Sequence, residues 1–506
     1  MEDSLDFNQV KQKIARGLEQ LKKNAASLSV KDADLIDKFI EQSLSYGFTE
    51  LLVESIILKS TYLANIDKYD EAISVIEQAL AIAQKYESNY LLGLSYNRAG
   101  AIHFNYCLYE LAIDNFLKAV DFLQKSNDNL QTCYAMRNIG VSYLRKNEDI
   151  KAYEYLHKAL QFSEDNKLRE AKASILSWLG ILGNEQENYD KAVEYLIESN
   201  NIFLEFENYF DYAVNLNIIA VSYIYKQPHL AVEYLLEAEE IAKKYNYVFV
   251  LADISHNLGL AHGEQNKHEQ ALTHYFESLE YRKSAMINDK LSNTLHNIGN
   301  IYNTLNKKDL ALEYLYKGLE IREKVNYRFK IAESYISLSN AYMTHHDYDE
   351  AFKACNKALE YAVEFNDSLQ LSTIYNTYCD YYDKIGNFKK AHEFFTLYCA
   401  EYDKMNVEKT QKSLQLMRKK LNLNSIERNA KIKVQEEALK GEIAMAVTAN
   451  HYINQPLMVL QGNLDLINAK LSIAKLDLNK KERNKVQELI DTINKVLIVF
   501  RKMVEI

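Results

Sequence analysis

One spacing governs what this chain can fold into. Alanine recurs at Ala72, Ala112, Ala152, Ala192, Ala231, Ala271, Ala311, Ala351 and Ala391, forty residues apart at every step except one of thirty-nine. About twelve residues before each alanine stands a small residue: Ser60, Gly100, Gly140, Gly180, Ala220, Gly259, Gly299, Ser339 and Cys379. Seven residues after it comes another mostly small one, such as Ala79, Ala119, Ala159, Ala238 or Ala358. Residues seven apart share a helix face two turns on, so the pattern describes pairs of helices that approach closely at fixed points. Nine copies in phase predict a stacked array in which each repeat buries its apolar face against the next.

Composition agrees. The 506 residues include only 14 Gly and 2 Pro, far below the usual usage of about 7% and 5%. That excludes a β-sandwich, a dinucleotide-binding fold and a phosphate-binding loop, which need glycine at fixed turns. The 48% hydrophobic content excludes disorder. The expected class is all-α.

The small-x2-Tyr, alanine and small-aromatic positions, best seen at Gly299–Tyr302, Ala311 and Leu315–Gly318, resemble the tetratricopeptide repeat. Its usual period is 34; here the six extra residues fall late in the second helix or after it. Repeats of about forty resemble those of bacterial peptide-sensing regulators and some scaffold proteins. The resemblance implies a right-handed superhelix over residues 49–402, with the first helix of each pair lining a concave groove. Residues 1–48 are expected to form N-terminal capping helices.

Carried over position by position, the resemblance places in the groove Asn97, Arg98, Arg137, Asn138, Ser177, Trp178, Asn217, His256, Asn257, His296, Asn297, Asn300, Asn340, Asn376 and Asp380. Asparagine dominates. An amide donates and accepts at once, so it suits a peptide backbone of any sequence or a partner helix. The same asparagines also suit hydrogen bonds between helices. The tyrosines at Tyr69, Tyr109, Tyr189 and Tyr348 read as packing positions. The histidines of the array are scattered without metal-ligand spacing, so neither a metal nor a cofactor is expected.

Charge divides the chain. Residues 403–506 hold 19 basic and 12 acidic side chains, a net of +7, against −17 for the first 402. Two modules with different partners are expected, and the acidic majority argues against nucleic acid. The five cysteines show no CxxC spacing, and no stretch suggests a signal peptide or membrane span; a cytoplasmic location is expected.

After residue 402 the period changes. Residues 403–442 read as a long helical or coiled-coil linker, with apolar Val407, Leu414, Met417 and Leu421. Two narrow apolar seams follow within residues 443–506. They predict a helical hairpin that dimerises into a four-helix bundle. The run Asn450-His451-Tyr452-Ile453-Asn454-Gln455-Pro456-Leu457 resembles the H-box of the dimerisation and histidine-phosphotransfer domain of sensor histidine kinases. It implies His451 as phosphoacceptor and Gln455, one turn on, as a residue that positions water. Tyr452 stands where the family carries an acid, and no ATP-binding domain is recognisable, so no autonomous kinase activity is expected. The expected protein is a signalling homodimer with a peptide or protein ligand in its groove and a response regulator or separate histidine kinase as partner. The alternatives are a plain scaffold, and a histidine phosphotransferase or regulator phosphatase using His451 and Gln455.

Overall fold

In a computed structural model, residues 7–23, 25, 28–284, 290–324, 328–365, 367–431, 484–485, 487–495 and 498 are described. The expectations for His451, Gln455 and the hairpin around them lie outside these residues. The chain divides into two compact units, residues 1–415 and 416–506. The first is an all-α solenoid.

α1 (Phe7–Lys23) and α2 (Val30–Tyr46) precede the repeats. Nine pairs follow among the described residues: α3 (Thr49–Asn65) and α4 (Tyr69–Lys85); α5 (Asn89–Asn105) and α6 (Tyr109–Lys125); α7 (Asn129–Arg145) and α8 (Asp149–Asp165). Next come α9 (Arg169–Glu185) and α10 (Tyr189–Glu205); α11 (Tyr209–Tyr223) and α12 (Pro228–Lys244); α13 (Val248–Glu264) and α14 (His268–Ser284). The last are α15 (Leu291–Thr304) and α16 (Lys308–Lys324); α17 (Arg328–Thr344) and α18 (Tyr348–Phe365); α19 (Ser368–Lys384) and α20 (Phe388–Lys431). α20 passes residue 402 without a break.

α1 and α2 close on each other through Val10, Ile14, Leu18, Ile36 and Phe39, and this cluster continues into Leu51 and Leu58 of α3. Ser29 starts α2 with a capping box, its side chain bonded to the Asp32 backbone and its own N–H donated to the Asp32 carboxylate.

The scarcity of glycine has a structural counterpart. A left-handed residue recurs every twenty positions at Asp67, Glu87, Cys107, Asn127, Asn147, Lys167, Glu187 and Glu207, and again at Asn246, Asn266, Asn306 and His346. At these positions the turns within and between repeats are alike. At Asp67 the Lys68 N–H reaches the Leu63 carbonyl at 3.0 Å and the Asp67 N–H reaches Ala64 at 3.3 Å, which satisfies the carbonyls at the end of α3. A non-glycine residue in this conformation costs roughly 1–2 kcal/mol, and the array accepts that cost at each such turn.

The single 39-residue step is explained by the turn after α11. One residue is missing between Ala220 and Ala231. α11 is 15 residues long instead of 17, the left-handed residue is lost, and Gln227 N–H bonds the Tyr223 carbonyl at 2.7 Å. Pro228 opens α12 at the first helical position, where no amide donor is needed.

The recurrent small residue does what its spacing suggests. A Cβ on Gly299 would lie 2.6 Å from Leu315 Cγ, and one on Gly259 2.6 Å from the Tyr275 ring. In each case the partner lies four residues after the repeat alanine. Packing of the first helix on its own partner and on the next repeat forms a succession of buried clusters rich in alanine and leucine. Successive first helices also touch one another across each seam, for example α3 with α5 and α11 with α13. They form the inner face.

Candidate functional site

The inner face carries a repeated cross-helix bond. Asn138 Nδ2 donates to Asn97 Oδ1 at 3.3 Å, and Asn257 Nδ2 to Asn217 Oδ1 at 2.9 Å. Asn297 Nδ2 meets His256 Nε2 at 3.4 Å, and Ser337 Oγ meets His296 Nε2 at 3.1 Å. In all four a residue two before the small position reaches back to the residue three before it on the preceding first helix. The groove asparagines and histidines are thus first of all stitches between repeats.

Four seams lack the stitch, because one or both positions carry a group unable to form it. Between α3 and α5 the pair is Ile57 and Arg98, between α7 and α9 Arg137 and Trp178, between α9 and α11 Ser177 and Ile218, and between α17 and α19 Ile336 and Thr377. Ser177 instead donates to the Ala173 carbonyl and meets Ser199 Oγ at 3.0 Å. Trp178 is half-buried, with the Arg145 guanidinium 5.7 Å from its ring. Asn300 is half-buried, Asn340 and Asn376 are exposed, and no described residue bonds their amides. Burial and then Asp383 raise the pKa of Asp380.

Where the stitches stop, between α7, α9 and α11, a polar cleft of about 250 Å³ opens. Asn97, Gln131, Tyr134, Arg137, Asn138, Glu170, Ser174, Asn208 and Asp211 line it, with Phe203 beneath. The Arg137 guanidinium lies 4.9 Å from the Tyr134 ring. It donates to Ser174 Oγ at 2.6 Å and to Asn138 Oδ1 at 2.9 and 3.2 Å. All of these acceptors are neutral. Burial lowers its pKa. Asp211 accepts from Asn208 Nδ2 at 2.9 Å, and burial raises its pKa. Arg98, on α5, has no described hydrogen-bond partner at Nε or Nη2, and burial lowers its pKa to about 10. Arg98, Arg137 and Asn138 are therefore gathered on two adjacent helices.

Farther along, burial and then a neighbouring arginine push His256 and His296 down to about 4. For His256 that arginine is Arg282, ion-paired with Asp253 at 3.0 Å. For His296 it is Arg322, which donates to Ser334 Oγ at 2.6 Å and Asn293 Oδ1 at 2.8 Å. Asn297 Nδ2 can only donate, so His256 Nε2 accepts. Its Nδ1 then carries the proton and donates to Thr294 Oγ1 at 3.0 Å.

Sequence reasoning passed over Gln131, Tyr134, Ser174 and Asp211, and the buried Arg282 and Arg322. A signal existed for the arginines. They stand eleven residues after Ala271 and Ala311, where other repeats place Ala83, Leu123, Ser163, Phe203, Ala242 and Ala362. Asp211 gave none, since its role depends on a cleft lined from five helices. Among the described residues no group of three or more His, Cys, Asp or Glu could hold a metal, and no helix is long and apolar enough to cross a membrane.

Tetratricopeptide-repeat family models match residues 56–90, 250–324 and 332–362. The chain carries tetratricopeptide repeats. No curated protein sequence matches. Among solved structures the apo form of the quorum sensor NprR from B. thuringiensis aligns with a TM-score of 0.51 at 15% identity, over 78% of this chain and 99% of that one. A Rap protein complexed with competence and sporulation factor aligns at 0.45 and 13%, over 79% and 99%. The Rap conjugation gene regulator of plasmid pLS20, in complex with the Phr* peptide, aligns at 0.47 and 18%, over 70% and 96%.

Proposed function

We propose that this chain is a signalling protein whose concave face holds an extended peptide or a segment of a partner protein. The observation that carries this reading is the cleft between α7, α9 and α11, where the inner face is polar and its amides are not fully consumed by stitches. Asn138 Oδ1 accepts twice from Arg137 and its amide donates to Asn97, which leaves the Asn97 amide hydrogens, a second lone pair on Asn97 Oδ1 and one Asn138 amide hydrogen for a ligand. NprR, which shares this fold, is a quorum sensor; the likeness supplies the scaffold, and the groove chemistry supplies the function. α20 leads from the array toward the C-terminal segment. There the H-box-like run around His451 supports a dimerising hairpin that contacts a response regulator, with Gln455 positioning water for dephosphorylation, or a separate histidine kinase, with His451 receiving phosphate.

The stitches themselves favour a second reading, a scaffold whose groove polarity is structural. An immobilised library of short extended peptides separates the two. Peptides held by the wild type, and released at least tenfold more readily by Asn97→Ala and Asn138→Ala with folding intact, support the groove. No peptide above background leaves the scaffold. For the C-terminal arm, phosphorylated receiver domains incubated with the full chain should lose phosphate faster than alone, and Gln455→Ala should slow that loss. Unchanged rates would remove the phosphatase role.

A further inference from the structure

The cleft holds two opposite charges that do not meet. Among the described residues Arg137 has no carboxylate within 4 Å of its guanidinium, and Asp211 has no cation within that distance of its carboxylate. Both line the same cavity and feel each other's charge. Arg137 is fixed from three sides, by Ser174, by Asn138 and by the Tyr134 ring. Asp211 is fixed by Asn208, which also receives the Asp211 backbone N–H at 3.2 Å. Neither side chain is free to swing across to the other without breaking these bonds. Holding a half-buried charge against neutral partners alone is costly, so a ligand that brings counter-charges to both groups would be favoured here.

The chemistry of that occupant follows by elimination. A lone anion at Arg137 would face the Asp211 carboxylate, with Glu170 adding a second negative charge at the cleft. A lone cation at Asp211 would face the Arg137 guanidinium. A ligand with both charges is attracted at each end. At about 250 Å³ the cleft has room for on the order of eight waters, so the part of a ligand seated in it is about one amino-acid residue.

We propose that this cleft is a zwitterion site, which takes an ammonium against Asp211 and a carboxylate against Arg137, both carried within one residue's length. The proposal rests on the reading of the inner face as a ligand surface and specifies one part of it. Two sources offer this chemistry: a free α-amino acid, and the first residue of a peptide that begins with Asp or Glu. The lowered pKa of Arg137 and the raised pKa of Asp211, both due to burial, match two groups awaiting counter-charges.

Calorimetric titration of the full chain tests it. The probes are a panel of free amino acids, hexapeptides that begin with Asp or Glu, and the same hexapeptides with acetylated N-termini. The single-charge analogues propionate and ethylamine accompany alanine. Binding of a free amino acid or of an unblocked peptide is expected, with at least a tenfold loss on acetylation or on removal of either charge. Arg137→Gln and Asp211→Asn should each cost at least tenfold, while Arg137→Lys retains part of the affinity. The wild-type comparison of charged analogues keeps the test decisive if a variant fails to fold. Peptides that bind equally well when acetylated, and are indifferent to both substitutions, would overturn the zwitterion site and leave the groove reading intact. Free amino acids that bind while no peptide does would uphold the site and remove the peptide groove. No binding by any probe overturns the site.

Discussion

Asn257 on α13 donates its amide to Asn217 on α11 across 2.9 Å, and this bond recurs at three other seams, once as another asparagine pair and twice through a histidine. It makes the inner face a structural surface as well as a candidate binding surface. Removing one half-buried neutral partner of such a bond costs about 0.5–1.5 kcal/mol. Asn257→Ala should therefore lower the denaturation midpoint measurably. Asn300→Ala, which breaks no bond to a described residue, should leave it within about 0.5 kcal/mol. Equal effects of the two substitutions in urea titrations would show that the stitch contributes nothing.

His256 and His296 give stability a pH dependence of defined sign. Both are held neutral, with pKa values lowered to about 4 by burial and by Arg282 or Arg322. In the unfolded chain a histidine takes up its proton near 6.5. Between those values the unfolded state binds more protons, so stability falls as the pH drops from about 6.5 toward 4. Asp253 and Lys290 near His256, and Glu333 and Lys330 near His296, adjust the field without changing that sign. His256→Gln keeps a neutral acceptor for Asn297 and should flatten the slope, as read from urea midpoints between pH 4 and 7.

Two glycines test the helix contacts in opposite directions. Gly299→Ala would place a Cβ 2.6 Å from Leu315 Cγ, and overpacking of this kind costs about 1–3 kcal/mol. At Gly263 the nearest atom would be 3.6 Å away, so alanine there should stabilise α13 by up to about 1 kcal/mol through helix propensity. Thermal melts of the two variants should move apart.

The turn residues offer a third axis. Lys167 sits at φ 57°. Glycine at that position relieves the left-handed strain, while valine aggravates it. Lys167→Gly should be neutral to stabilising, and Lys167→Val should destabilise by roughly 1–2 kcal/mol. Guanidinium titrations that rank the two in the reverse order would contradict the turn geometry.

The helix pairs were legible because close packing leaves few choices at Gly100, Gly140, Gly180, Gly259 and Gly299. A side chain there collides with the opposite helix, and the constraint is written directly into the sequence. The groove was only half legible. Position predicted which faces Asn97, Asn138, Asn217 and Asn257 occupy and left inter-helix bonding open as an alternative, but not which of them pair, because a stitch depends on the partner about forty residues away. Arg137 was named from its position alone. Asp211 went unnamed, since a carboxylate one turn into a helix reads as an ordinary favourable dipole contact.

The equal spacing of left-handed turns has one last consequence. Each turn is closed by its own helix end, and each repeat meets its neighbours through the same small-residue and alanine positions, whatever the seam carries on its inner face. A block of forty residues can therefore be duplicated or deleted while the seams on either side stay compatible. The length of this array is a quantity that gene rearrangement can change stepwise, and the altered turn before Pro228 shows that loss of a single residue can be absorbed as well.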